Sequence, residues 1–324
     1  MAFQALDPDR ILDAIDAAGW QTDGRVSALN SYENRVYLIG LMDGTDIVAK
    51  FYRPERWSDA AIAEEHSFCE ELESAELPVV APLGKDGNTL LHVEPFRLCV
   101  FPKAGGRPPE LDNSEQLSVI GRTLGRLHLV GETKAFTHRP AVNVTRLGLA
   151  SVQHVLESDQ VPMELLSAYK AVVQPLLEEV QNRFDAANKV QSLRIHGDFH
   201  PGNILWGVDN SPHLLDFDDT SMGPAVQDLW MFISGDHQYA QARLGDLLDG
   251  YTEFRDFDER ELQLIEPLRT LRIVHYAAWI SRRWEDPAFQ QAFPFFAGNR
   301  FWDEHILALK EQRSRLDEPV LRYN

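Results

Sequence analysis

The chain of 324 residues is poor in cysteine: it has two, Cys69 and Cys99. That is too few for a disulfide framework or a structural zinc site, so a reducing, cytoplasmic setting is expected. Positive charge is also short, with 31 Lys and Arg against 50 Asp and Glu and a net charge of −19. Recognition of a phosphate backbone relies on clustered cations, so a nucleic-acid binder is not expected. Long apolar runs are missing as well. Met1 to Trp20 is interrupted by Asp7, Asp9, Arg10, Asp13 and Asp16, which leaves no apolar core for a signal peptide. No segment approaches the roughly 18 apolar residues of a membrane span, so no membrane partner is expected.

What is present suits a folded globule. Apolar residues make up 44% of the chain and aromatics 10%, enough buried surface to offset the entropy lost on ordering the backbone. The length predicts two lobes with separate cores, and a monomer is expected. A helix is expected near Pro8 to Ala18. Val26 to Phe51 alternates apolar and polar residues about a turn at Met42-Asp43-Gly44-Thr45, as antiparallel strands do. Ser58 to Ala75 takes a helical period with Ser58 as cap and Ile62, Phe68 and Leu72 on one face. Strand-like runs follow at Thr89 to Val93 and Phe96 to Phe101. Pro102 to Pro109 is a Gly- and Pro-rich connector, and Ser114 opens a helix in which Gly121 and Gly125 permit a close neighbour. Beyond it the pattern is mainly helical. The expected class is α+β: a small antiparallel-sheet lobe with one main helix over 1–102, and a larger, mostly helical lobe over 103–324.

One stretch is dense in chemistry. Leu193-Arg-Ile-His-Gly-Asp-Phe-His-Pro-Gly-Asn-Ile-Leu-Trp206 leads through a turn, Asp209-Asn210-Ser211-Pro212, to His213-Leu-Leu-Asp-Phe-Asp-Asp219. Ile204-Leu205-Trp206 and His213-Leu214-Leu215 are expected to pair as a hairpin, bringing Asn203 and Asp216 together at its open end. Hard oxygen donors of this kind suit magnesium, which keeps phosphate oxygens in its shell. Asp198 precedes Asn203 by the interval of the kinase catalytic loop H-R-D-x-x-x-x-N. That template makes Asp198 the acceptor of a hydroxyl proton, Asn203 and Asp216 the metal ligands, and Asp216 the bridge to ATP. Asp218 is a further candidate ligand.

A lysine signal lies upstream. Ile47-Val48-Ala49-Lys50 resembles the V-A-I-K strand that sets a lysine against the α- and β-phosphates. The next helix offers Glu64 and Glu65 as its ion-pair partner. Glu65 is favoured because Phe68 and Leu72 follow it three and seven residues on, along the packed side. A glycine-rich phosphate loop is absent, and Leu29-Asn-Ser-Tyr-Glu-Asn-Arg-Val-Tyr37 takes its place, with Ser31 and Asn34 as candidate donors. In the strand Leu98 to Pro102, Phe101 is the candidate for adenine through its backbone, since proline has no N–H.

These motifs together resemble the aminoglycoside phosphotransferase and choline kinase superfamily, which has a protein-kinase-like fold and H-G-D in place of H-R-D. Within it, Leu29 to Tyr37, Lys50 to Trp57 and Gly223-Pro-Ala-Val-Gln-Asp-Leu-Trp230 are similar to the bacterial stress response kinase A family. The resemblance implies ATP and Mg2+ as cofactors and a protein Ser/Thr hydroxyl as acceptor. It also implies that Asp228 braces the catalytic loop. A small hydroxylated metabolite is the alternative acceptor. Two other readings compete: a zinc hydrolase using His196, Asp198 and His200, which leaves Lys50 and Asn203 without roles, and a catalytically dead binding module, disfavoured by the survival of all four key residues.

Overall fold

A computed structural model describes residues 3, 6–187, 189–208 and 210–323; Asp209, assigned above to the hairpin turn, lies outside them. The chain divides into two compact units. The first comprises 1–110, 136–139 and 201–220, the second 111–135, 140–200 and 221–324. A single cut at 102/103 therefore does not describe it. The connector runs on to residue 110 because Arg107 and Trp206 exchange backbone hydrogen bonds, Trp206 donating at 2.7 Å and Arg107 at 3.2 Å.

The first unit is built on a five-stranded antiparallel sheet of order β1-β2-β3-β5-β4. Its strands are β1 (Thr22–Ala28), β2 (Arg35–Leu41), β3 (Asp46–Phe51), β4 (Leu91–Val93) and β5 (Phe96–Pro102). Helices α1 (Pro8–Ala17) and α2 (Asp59–Ser74) belong to the same unit. The expected turn joins β2 to β3, where the Asp43 carboxylate accepts from the Thr45 N–H and hydroxyl at 2.9 and 2.6 Å. Strand side chains alternate between faces. Ile47, Ala49 and Phe51 join Ile39, Leu98, Val100 and the α1 residues Ile11 and Ile15 in one core. Tyr52 and Cys99 pack with Ile62 of α2. Lys50 opposes Cys99 across the β3/β5 ladder and so shares this second face. Ser58 caps α2 through the Ala61 N–H at 3.2 Å.

The expected hairpin forms as Ile204–Trp206 against Pro212–Leu214, with Ile204 opposite Leu214. Leu214 also exchanges hydrogen bonds with the 78–80 segment at 2.8 and 2.9 Å, which ties the hairpin into the first unit.

The second unit contains α3 (Ser114–Gly131), α4 (Ala150–Glu157), α5 (Met163–Ala186), α6 (His237–Tyr251), α7 (Ile265–Ser281), α8 (Pro287–Ala292) and α9 (Asn299–Leu316). A short ribbon pairs Leu193–Ile195 with Ser221–Gly223. Tyr169, Val173, Leu177, Val274, Phe289 and Trp302 lie in its main core. No helix among the described residues is long and apolar enough to cross a membrane.

Helix α3 packs on α6 at glycine contacts, as its sequence suggested. A Cβ at Gly121 would overlap the Leu247 carbonyl, and one at Gly250 the Ser118 carbonyl. Gly121→Ala is therefore expected to lower unfolding stability by about 1–3 kcal/mol in urea titration, because backbone cannot yield as a side chain does and overlap outweighs the gain in helix propensity. An unchanged or raised midpoint would mean that the two helices are not in close contact.

Candidate active site

The β3 register places the Lys50 ammonium in the first unit's interior, with 4% of the residue exposed. An isolated buried ammonium is costly, so partners are required. Its Nζ lies 3.0 Å from Asp218 Oδ1, 3.4 Å from Glu65 Oε1 and 3.4 Å from Asp216 Oδ1. Burial opposes the charge, but Asp218, Glu65 and Asp216 outweigh it and hold Lys50 well above its ordinary value. Glu64, one residue away on α2, accepts instead from the backbone N–H groups of Thr137, His138 and Arg139 at 2.7, 2.8 and 2.9 Å. The two neighbouring glutamates thus have separate tasks.

Three carboxylates exceed one lysine, and two arginines redress the balance. Arg139 bonds Glu65, the Asp218 carbonyl at 2.6 Å and the Ala61 carbonyl at 2.7 Å. Arg56 bonds Asp218 and reaches Asp219 at 2.7 Å. Burial works against ionisation of Asp218, yet Arg56, Lys50 and Arg139 keep its carboxyl far below the usual range. Burial pushes Glu65 upward, with Lys50 and Arg139 pulling against it. Neither arginine was identified from sequence. Arg56 stands in the quoted Lys50 to Trp57 run, but only the folded contact reveals its partners.

Asp216 differs from the carboxylates around it. Its backbone sits in the left-handed region at φ 57°, and its side chain is 57% exposed. A non-glycine residue there is uncommon and often marks a working site. Asn203 is joined to the same end of the hairpin, its carbonyl accepting from the Leu215 N–H at 2.9 Å. Among the described residues no group of three or more His, Cys, Asp or Glu side chains could hold a metal by itself. This donor set fits magnesium carried in with phosphate oxygens, since that ion is held by one or two carboxylates plus substrate. The three-ligand zinc cluster at His196, Asp198 and His200 is not formed.

Three sequence-based assignments change. Asp218 is 3% exposed and its two oxygens face Lys50 and Arg56, so it neutralises cations and does not fit as a metal ligand. Asn34 is buried, its side-chain oxygen accepting from the Arg53 N–H at 3.0 Å, so it holds two strand ends together. Phe101 fails for a reason of parity. Val100 O accepts from Leu83 N while Arg97 O accepts from Tyr52 N. Backbone groups alternate in an antiparallel ladder, so those of Phe101 point into β3. Its ring does reach the site, 6.0 Å from Lys50 Nζ. Ser31 accepts from the Val36 N–H at 3.1 Å and so shapes the β1–β2 turn.

In the second unit, Asp198 pairs with Arg272 of α7, and His200 Nε2 lies 3.5 Å from its other oxygen. Burial opposes ionisation, but His200 and Arg272 outweigh it and hold the Asp198 carboxyl well below the usual carboxylate range. The preceding loop is fixed by Asp228, fully buried, which accepts from the His196 and Gly197 N–H groups at 2.7 and 2.9 Å. Gly197 has φ 87°, a conformation that favours glycine. His196 packs its ring 5.2 Å from that of Phe199. Asp228 is held in turn by His128 Nε2 at 3.1 Å, and His128 by the Tyr251 hydroxyl at 3.0 Å.

Comparison with known proteins follows the same lines. The phosphotransferase enzyme family (APH) matches residues 25–265. Stress response kinase A of Escherichia coli strain K12 is 42% identical over 320 residues, covering 99% of this chain and 96% of the relative. Serine/threonine protein kinase RdoA of Salmonella typhimurium strain LT2 is 42% identical over 322 residues, with 99% and 96% covered. Among solved structures, amicoumacin kinase hAmiN in complex with AMP-PNP, Ca2+ and Ami aligns with a TM-score of 0.74 at 18% identity, over 98% of this chain and 96% of that one. A microcompartment-associated aminopropanol kinase aligns with a TM-score of 0.73 at 16% identity, over 95% and 98%.

Two outcomes are expected from this geometry. Arg139→Met leaves Glu65 short of a buried partner and should cost about 3–5 kcal/mol in chemical denaturation; a loss under about 1 kcal/mol would mean that Lys50 alone suffices. Glu261, 1% exposed, accepts from the Val226 N–H at 2.7 Å beside the turn that carries Asp228. Burial raises it from the ordinary 4.5 to about 7. Between those two values the folded chain keeps a proton that the unfolded chain loses, so this contribution to stability falls as pH rises and is level above about 7. Glu261→Gln should therefore gain stability relative to the parent on going from pH ~5 to pH ~8. An identical difference at both pH values would contradict the assignment.

Proposed function

Because this chain belongs to the APH phosphotransferase enzyme family, we propose that it transfers the γ-phosphoryl group of ATP, with magnesium, to a Ser or Thr hydroxyl of a protein. The observation that carries the ATP reading is Lys50, buried, charged and aimed by Glu65 beside the exposed carboxylate of Asp216. A lysine so held is a fixed point charge for phosphate oxygens. The protein acceptor is supported by relatives at 42% identity named as a stress response kinase and a serine/threonine protein kinase.

The acceptor oxygen bonds to γ-phosphorus as the bond to the β–γ bridging oxygen breaks, and the hydroxyl proton passes to Asp198. An Asp198 carboxyl held strongly acidic by His200 and Arg272 is a weak base. Its main work is to orient the hydroxyl, and it takes the proton late, which suits a loose phosphoryl-transfer transition state. Asn203 and Asp216 would hold the magnesium, which when bound would supply charge neutralisation on the transferred group. A small-molecule acceptor is the second reading, favoured by the aminopropanol kinase and hAmiN as structural neighbours.

Radiolabelled ATP offered with candidate proteins and with amino alcohols separates the readings. Asp198→Ala should lower turnover by about 10²–10⁴-fold with nucleotide affinity retained, whereas Asp216→Ala should also weaken magnesium-dependent ATP binding. Label found only in the small molecules would replace the protein acceptor, and near-normal turnover in both variants would remove the mechanism.

A further inference from the structure

The surroundings of Asp198 in the second unit carry information about the acceptor, given the reading above that this carboxylate receives the hydroxyl. Its strongest electrostatic influences after burial are two cationic or cationisable groups, His200 and Arg272. Arg272 meets Asp198 through Nη1 alone, with its side chain 48% exposed, so the rest of the guanidinium fork is open to a further acceptor of hydrogen bonds. One helical turn along α7 lies Tyr276, 39% exposed, with its ring stacked on Trp279 at 6.0 Å and 22°. Residues four apart share a helix face, so Arg272 and Tyr276 lie on the same side of α7.

The local charge runs against that of the whole chain. The molecule is strongly acidic at −19, yet α7 carries Arg269 and Arg272 against the single acid Glu266, and the turn after it balances Arg282 and Arg283 against Glu285 and Asp286. A cationic amino alcohol or polyamine sugar placed at Asp198 would have to approach Arg272. Such substrates call for unpaired carboxylates, and the carboxylate here is already engaged by a cation. An acidic side chain beside the acceptor hydroxyl gains what an ammonium would lose, because arginine pairs with a carboxylate through two N–H groups at once.

We propose that Arg272, with Tyr276 and Trp279 beside it, determines acceptor specificity, selecting a Ser or Thr hydroxyl flanked by acidic residues in a peptide segment and disfavouring cationic acceptors. Arg272 acts on two partners: it fixes the Asp198 carboxylate, and it presents its outer N–H groups to the acceptor's acid.

The test uses the full chain, magnesium, labelled ATP and two peptides with the same Ser/Thr core, one flanked by glutamates and the other by lysines. The readout is the ratio of kcat/KM for the two, in which any general loss of turnover cancels. The parent should favour the glutamate peptide by at least ~10-fold, about the effect of one well-placed charge contact. Arg272→Lys should keep most of that ratio and Arg272→Gln should bring it near one, with the KM for ATP unchanged in both. Tyr276→Ala should raise the KM of both peptides while leaving their ratio. If both peptides are labelled but the parent shows no preference, favours lysine, or holds its ratio in Arg272→Gln, the inference is overturned while the protein-kinase reading stands. If neither peptide is labelled and an amino alcohol is, both fall together.

Discussion

The first unit is organised by the burial of one positive charge. An ammonium at 4% exposure is tolerable only when surrounded by acids, and supplying those acids creates the next problem, since buried carboxylates need cations of their own. The solution is a balanced set: Lys50, Arg56 and Arg139 against Glu65, Asp216 and Asp218. Its components come from separate parts of the chain, namely strand β3 and the turn after it, helix α2, the 136–139 segment and the segment after the hairpin. This explains why the unit is discontinuous in sequence. Residues 136–139 and 201–220 return to it because the charge balance and the Arg107–Trp206 pairing require them there.

Within that set the acids are not equivalent, and the backbone decides which does what. Phe217 is buried, its ring 6.1 Å from Phe68 of α2 in an edge contact. With this anchor between them, Asp216 and Asp218 face different environments. Asp218 is drawn into the interior between two cations, whereas Asp216 takes the left-handed conformation and keeps most of its side chain in solvent. An exposed carboxylate on a fixed backbone can exchange a lysine contact for a metal at little cost; a buried one with two cationic partners cannot.

Much of this could be read before folding, and the failures share a cause. The strands β1 to β3, the cap at Ser58, the hairpin and the glycine contact of α3 all rest on local periodicity or turn chemistry, which a sequence displays directly. The choice of Glu65 over Glu64 followed from the apolar face of α2, again a local pattern. Arg56 and Arg139 were missed because an arginine near Trp57 or before Pro140 carries no local mark of its partner; the contact spans more than seventy residues for Glu65 and Arg139. Asp218 was misread because spacing cannot tell an inward acid from an outward one. Phe101 was misread because strand parity depends on which neighbour pairs with it, and that is known only from the Leu83 and Tyr52 hydrogen bonds.

In the second unit the same logic yields a different arrangement. Asp228 is a fully buried carboxylate, and the groups facing it are two backbone N–H donors and the His128 ring. Burial lowers His128, with Asp228 opposing, which favours the neutral imidazole. The hydrogen bonds then have one direction. Arg255 donates to the Tyr251 hydroxyl at 2.9 Å, Tyr251 to His128, and His128 to Asp228. A neutral ring that must accept on Nδ1 and donate on Nε2 has one permitted tautomer. The loop at 196–197 is thereby tied to the largely buried Arg255 through groups that cannot rearrange singly. Rigidity at Asp198 comes from this chain of donors, while His200 and Arg272, both in contact with that carboxylate, are part-exposed.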